Sequence, residues 1–172
     1  MATTLSTSLK TSVNWTYTDT TNALANTTNS GSVSYSKTLS DGANAGQANR
    51  MYMATGTIAG AGTLSIDLAA SLANVFGSTI TFARVKGFYF NLTSDTTSTS
   101  VTLGGAGSNP AILWFGNVND TESVRNDGVS VHWCTDATAW AVTAATADIL
   151  LITNADATNT ATYKLFIVGC AT

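Results

Sequence analysis

Residues Ser78–Leu92 read STITFARVKGFYFNL. Ile80, Phe82, Phe88, Phe90 and Leu92 alternate with Thr79, Thr81, Tyr89 and Asn91, the period of two that a half-buried strand imposes. Arg84 and Lys86 fall on the phenylalanine phase, so a regular strand would bury two cations. The stretch therefore predicts either a β-bulge near Val85–Gly87 or a face that meets another molecule.

The same periodicity recurs on both sides. Ser12–Thr18 carries Val13, Trp15 and Tyr17 on one phase, and Ser32–Leu39 carries Val33, Tyr35, Lys37 and Leu39. Further strands are expected at Arg50–Ile58, Thr63–Leu68, Ser100–Leu103, Ala111–Phe115, Trp140–Thr143 and Asp148–Thr153. Thr121–Arg125 and Val129–Cys134 flank Asn126-Asp127-Gly128, a hairpin signal that puts Val129, Val131 and Trp133 in phase and facing inward. Ala161–Cys170 is apolar on both phases near its end and should lie centrally, covered on both faces. The polar runs 19–31, 40–49, 93–100 and 154–160 read as loops. Leu72, Val75 and Phe76, spaced three and four apart before Gly77, allow one helical turn over 69–76. The expectation is an all-β fold. It is a single-domain β-sandwich, jelly-roll-like, with at most one short helix near 69–76. Residues 1–11 form an extended or mobile N-terminal tail, and residues 12–172 form the sandwich.

Composition narrows the function classes. Only 10% of the 172 residues are charged, against about 25% in ordinary soluble domains. About thirty are threonine, which suits a pleated surface that must also be wetted. So little charge gives little repulsion against association, so much of the surface is expected to be covered by neighbouring copies. A net charge of −3 with no Lys/Arg cluster beyond Arg84 and Lys86 argues against nucleic acid. No apolar run has membrane length, and the N-terminus does not read as a secretory signal. Cys134 and Cys170 are therefore expected as free, buried thiols.

Candidate chemistry is sparse. His132 is the single histidine and shares a strand phase with Cys134, which permits a Cys–His dyad. No glycine-rich or helical element frames the thiol, so the favoured reading is a histidine on the outer face of a hairpin. Asp120 and Glu122 lie two apart, as in a glycosidase pair or half a calcium site, but neither pattern is complete. The other acids, Asp95 among them, read as turn residues. Trp15, Trp114, Trp133 and Trp140 could build a sugar-stacking platform, although aromatics at strand phase more often belong to a core. No cofactor and no metal are expected. Candidate assembly contacts are Arg84, Lys86 and Trp15.

Three segments carry a resemblance. They are SLKTSVNWTYTD (8–19), LAASLANVFGSTITFARVKGFYF (68–90), and the run from LGGAGSNP (103–110) through DATAWAVTAATADILLITN to the closing TYKLFIVG (162–169). Together they resemble small structural proteins encoded in tailed-bacteriophage genomes, of the decoration or minor capsid type. The resemblance implies a non-enzymatic virion component assembled in a bacterial cytoplasm. It further implies a homo-oligomer, with a trimer favoured, that binds a phage major capsid protein without nucleic acid or membrane. A tail or fibre role, a self-assembling shell or filament subunit, and a carbohydrate-binding sandwich are the alternatives.

Overall fold

The computed structural model describes residues 4–21, 25–70, 72–94, 96 and 99–171. Parts of the expected tail (1–3), of the loop 19–31 (22–24), of the segment 69–76 (Ser71) and of the loop 93–100 (Asp95, 97–98) lie outside the described residues, as does residue 172. Thirteen strands follow in order: β1 Thr7–Asp19, β2 Thr27–Leu39, β3 Arg50–Ile58, β4 Thr63–Asp67, β5 Leu72–Ala73, β6 Thr79–Ile80 and β7 Arg84–Thr93. Then come β8 Ser100–Gly104, β9 Thr121–Arg125, β10 Val129–Trp133, β11 Trp140–Ala141, β12 Ile149–Asn154 and β13 Ala161–Cys170.

Eight of these build the body. One sheet has the order β10-β7-β13-β3, with β11 added to the start of β7, and the other has the order β4-β12-β8-β9. Numbered one to eight along the chain, the body strands read 6-3-8-1 and 2-7-4-5, with every strand pairing antiparallel. Pairs 1·8, 2·7, 3·6 and 4·5 form one long antiparallel ribbon, and pairs 8·3 and 7·4 roll it into two sheets. That is jelly-roll topology. The core lies between the sheets, where Phe88, Phe90, Leu92, Leu165 and Ile167 of one meet Ile66, Val101, Leu103, Leu150 and Ile152 of the other. Phe90 stacks on Tyr163 with ring centroids 6.0 Å apart. Buried Asn154 ties the loop before β13 to the end of β3, donating to the carbonyls of Ile58, Ala59 and Asn159 at 3.1, 3.0 and 2.8 Å.

The bulge anticipated near Val85–Gly87 is present. β13 pairs Val168 with Gly87 and then Gly169 with Val85, so Lys86 is passed over. The slip returns Val85 to the core phase with Phe88 and Phe90, and Lys86 turns to the opposite face. Two glycines make this geometry possible. A Cβ on Gly87 would lie 2.7 Å from Val168 and 2.8 Å from the Trp133 ring, and one on Gly169 would overlap the Arg84 carbonyl oxygen.

Four expectations are corrected. First, the helical turn allowed over 69–76 is absent among the described residues of that segment. Leu72 and Ala73 pair with Ile80 and Thr79, and the Asn74 side chain accepts from the amides of Phe76 and Ser78, closing a tight turn. Second, Ala111–Phe115 is a turn with Leu113 at φ 45° and an Ile112–Phe115 backbone bond, so its apolar run caps the sandwich instead of extending a sheet. Third, β10 is reversed relative to the expected facing. Ser130 and His132 share the inner face with Phe90 and Phe88, while Val129, Val131 and Trp133 face out. Fourth, Thr7–Thr11 of the expected tail are already strand, and Thr27–Gly31 of the expected loop belong to β2.

Because the Gly169 clash is with backbone, repacking of side chains cannot relieve it. We expect Gly169→Ala to cost about 3 kcal/mol, the upper end of overpacking costs. Gly107→Ala, whose new methyl meets open space, should stay within about 0.5 kcal/mol. Urea denaturation of the two variants tests this, and equal midpoints would contradict the bulge geometry.

Candidate functional site

The nominated contacts separate widely. Lys86 is completely buried, and its ammonium donates to the Asn44 carbonyl at 2.5 Å beneath the loop 40–49. It therefore cannot act as a surface contact of the folded chain, because the bulge that moved it off the core phase also placed it under that loop. Arg84 is half-buried and donates from Nη1 to the Ala137 carbonyl at 2.7 Å. Trp15 alone of the three stands substantially exposed, at 43%.

His132 and Glu122 meet at the open edge of the sandwich. Each faces inward from an edge strand, β10 of one sheet and β9 of the other. His132 Nε2 lies 2.9 Å from Glu122 Oε2 and 3.1 Å from Ser130 Oγ. A carboxylate only accepts, so Nε2 carries the hydrogen there. Trp114, from the loop between β8 and β9, donates its indole N–H to the same carboxylate oxygen at 3.0 Å. Its ring stacks on the His132 ring at 4.4 Å and packs against Phe88, Phe115 and Trp140. Burial pushes the Glu122 carboxyl up, but hydrogen bonds from Ser130, His132 and Trp114 outweigh it and hold the group below its ordinary value.

This cluster is built as a latch. In a hydrolytic triad the acid and the nucleophile sit on opposite ring nitrogens, so the imidazole can pass a proton between them. Here serine and glutamate share Nε2. Cys134 does not complete a dyad either: its thiol lies 3.2 Å from Asp136 Oδ2, and burial followed by that carboxylate pushes its pKa up, away from thiolate. Glu122 is committed to the latch and Asp120 lies in the exposed turn before β9, so the acid pair has no joint site. Among the described residues no group of three or more potential ligands could hold a metal ion. Trp114 and Trp140, half-buried against one another, do not form an open platform.

The sequence reading missed the most unusual surface. β1 and β2 pair without interruption from Thr7–Leu39 to Asp19–Thr27, a thirteen-residue ribbon outside both body sheets. Opposed residues share a face, which gives the ribbon a polar side and a largely apolar one. One face carries Ser8, Thr38, Lys10, Ser36, Ser12, Ser34, Asn14, Ser32, Thr16 and Ser30. The other carries Leu9, Leu39, Tyr35, Val13, Val33, Trp15 and Tyr17, with Lys37 opposite Leu9, Thr11 opposite Tyr35, and Asn29, Thr27 and Asp19 at the far end. The near end of the apolar face is buried, with Leu9 and Leu39 packed on Ala48 and Val168 beside Trp133 and Phe166. Trp133 also donates its indole N–H to Thr11 Oγ1 at 3.1 Å. Farther out the same face is bare, with Val13 62%, Val33 67% and Tyr17 73% exposed. Trp15 lies across Gly31, where any Cβ would overlap its ring, and donates to Asn29 Oδ1 at 3.0 Å. At the tip, the hydroxyl and amide of Thr21 donate to Asp19 and lower its pKa. Alternation made each strand legible, but no signal in either strand says that the pair leaves the body.

In comparison with known proteins, no family profile and no curated sequence matches this chain.

The latch carries a pH signature. Glu122 has a lower pKa folded than unfolded, so its contribution is present above about pH 4.3, the ordinary glutamate value, and is lost as pH falls through the folded value. Glu122→Gln should cost about 1 kcal/mol at neutral pH, a hydrogen-bond loss softened by partial exposure. The gap to the parent chain should close in acid. Thermal melts from pH 7 to pH 3 check this, and a gap that widens in acid reverses the assignment.

Proposed function

We propose that the protein is a non-enzymatic structural component of a tailed-bacteriophage virion, a capsid decoration or cement protein that binds and stabilises the head shell. One observation carries the reading. The chain projects an amphipathic β-ribbon whose apolar face holds Val13, Trp15, Tyr17, Val33 and Tyr35 in solvent, and exposed apolar surface of this kind marks an interaction site. The sequence resemblance to phage structural proteins supplies the particle, and the low charge supports close packing among neighbours. The partners are then further copies of the chain, with a trimer favoured, and a phage major capsid protein. Assembly would take place in the bacterial cytoplasm. The His132–Glu122 latch supports a non-enzymatic role, because its shared ring nitrogen suits bridging two sheets better than proton relay.

Quantitative mass spectrometry of purified particles from a phage encoding this chain tests the reading. The expected result is a copy number on the scale of the capsid lattice, together with loss of heat resistance in particles made without the protein. A copy number fit only for a fibre moves it to the tail, and particles without it end the virion reading. Trp15→Ser combined with Tyr17→Ser should leave the fold intact and lower the particle-bound copy number at least tenfold, about 1.4 kcal/mol of binding.

A further inference from the structure

We propose that the distal half of the β1–β2 ribbon docks, apolar face down, on the outer face of the β10-β7-β13-β3 sheet of a second copy of this chain. The inference deepens the reading above by naming the surface through which copies join.

The receiving surface follows from register. Across the four strands, one outward row is Trp133, Gly87, Val168 and Met51, and the next is Val131, Tyr89, Phe166 and Met53. The ribbon's own base covers the first row through Leu9 and Leu39. The second row is only half-covered, with Met53 55% exposed. A cleft of about 260 Å³ opens between Thr7–Lys10 of β1 and the side chains of Tyr89, Trp133 and Phe166. This ribbon face is therefore already seated on this sheet face in each monomer. Its distal half offers more of the same chemistry, and the adjacent row offers more of the same acceptor.

Charge and size agree with a second copy. None of the four strands contains a carboxylate, whereas Arg50, Arg84, Lys86 and Lys164 all lie in them and Lys10 and Lys37 lie on the ribbon's basal half. The ribbon's one acid is Asp19, at its far end, kept ionised by Thr21. An incoming tip thus brings its negative charge to a sheet whose strands hold no carboxylate, Lys164 being the exposed cation beside the apolar row. From Thr11 to Asp19 the ribbon spans roughly 30 Å, and a two-stranded face is about 10 Å wide. A two-fold pair in which each protomer gives one arm and receives one therefore buries roughly 600 Å² per partner, approaching the ~800 Å² of stable interfaces, and a ring buries roughly half that per side at each contact. Trp15, Tyr17 and Tyr35 are the residue types that dominate such contacts.

The test is the solution mass of the full chain by light scattering and sedimentation, from about 1 to 100 µM. The parent chain should have a mass of at least twice 17.7 kDa. Trp15→Ser with Tyr17→Ser, and separately Met53→Lys, should each weaken association at least tenfold, with melting temperatures held near the parent's. Asp19→Lys should weaken association, and adding Lys164→Glu should recover part of the loss. A monomeric parent at the top concentration overturns the inference. So does association that survives the arm variant, or an arm-dependent oligomer indifferent to Met53→Lys, which would place the arm on another surface. A chain that is abundant on particles yet monomeric in solution refutes this inference and leaves the virion reading standing. An arm-dependent oligomer absent from particles does the reverse.

Discussion

The register slip between β13 and β7 is the constraint on which the rest of the molecule turns. By passing over Lys86, the pairing lets a strand with cations on its apolar phase run through the centre of a sheet. Val85 takes the core position, and the Lys86 carbonyl accepts from the Cys134 amide where β10 ends. β11 then resumes pairing at Val85 and Arg84, so one edge is shared between two short strands. The displaced ammonium bonds the Asn44 carbonyl and so helps fix the loop 40–49 over the outer face. That loop contributes Ala48 to the cluster holding Leu9 and Leu39. The ribbon's root and the bulge are therefore parts of one packing unit. Burying an ammonium without a counter-ion is unfavourable by several kcal/mol, and the Asn44 carbonyl offsets part of that by accepting its hydrogen bond.

The two edges of the sandwich are handled differently. At β9 and β10, inward-facing Glu122 and His132 bridge the sheets, and Trp114 folds over them as an aromatic lid. The contact between His132 Nε2 and Glu122 Oε2, 2.9 Å long, is an ion pair when the imidazole is protonated. In a chain with 10% charged residues, its specific hydrogen bonds say more about alignment of the sheets than about net stability. On the outer face of the other sheet, the ribbon root supplies the cover. Loops use carboxylates locally: Asp136 accepts from Ala139, Thr138 and Cys134, which lower its pKa to about 2. Asp156 is likewise lowered, first by Asn159.

Alternation was a reliable guide wherever a strand had one covered face. β3 and β13 have the limits expected from the residues, and the bulge was legible because Arg84 and Lys86 stood on the wrong phase. The failures have physical causes. Leu72, Val75 and Phe76 keep helical spacing, yet Val75 and Phe76 have no surface to pack against and sit 50% and 76% exposed at a hairpin tip. Ile112–Phe115 looked like strand because four apolar residues run together, whereas the chain uses them to close an end. His132 was assigned the wrong face because the ribbon root, distant in sequence, supplies apolar cover to Trp133. Trp15, nominated as a contact, stands exposed, but Lys86 was not legible as buried, since burial depended on a loop forty residues away.

The ribbon then shows where periodicity stops being informative. Val13, Trp15, Tyr17, Val33 and Tyr35 obey the same alternation as core strands, because a side chain's phase records which face is apolar and not what covers it. A two-stranded ribbon is marginal alone, and this one gains from its root and from pairs such as Trp15 over Gly31. Those contacts order the strands without hiding the apolar face. The polar face, almost wholly Ser, Thr and Asn, carries the hydration. An arm so divided is soluble on one side and adhesive on the other, and its root fixes its direction. The body contributes rigidity, and the apolar surface left exposed is carried beyond both of its sheets.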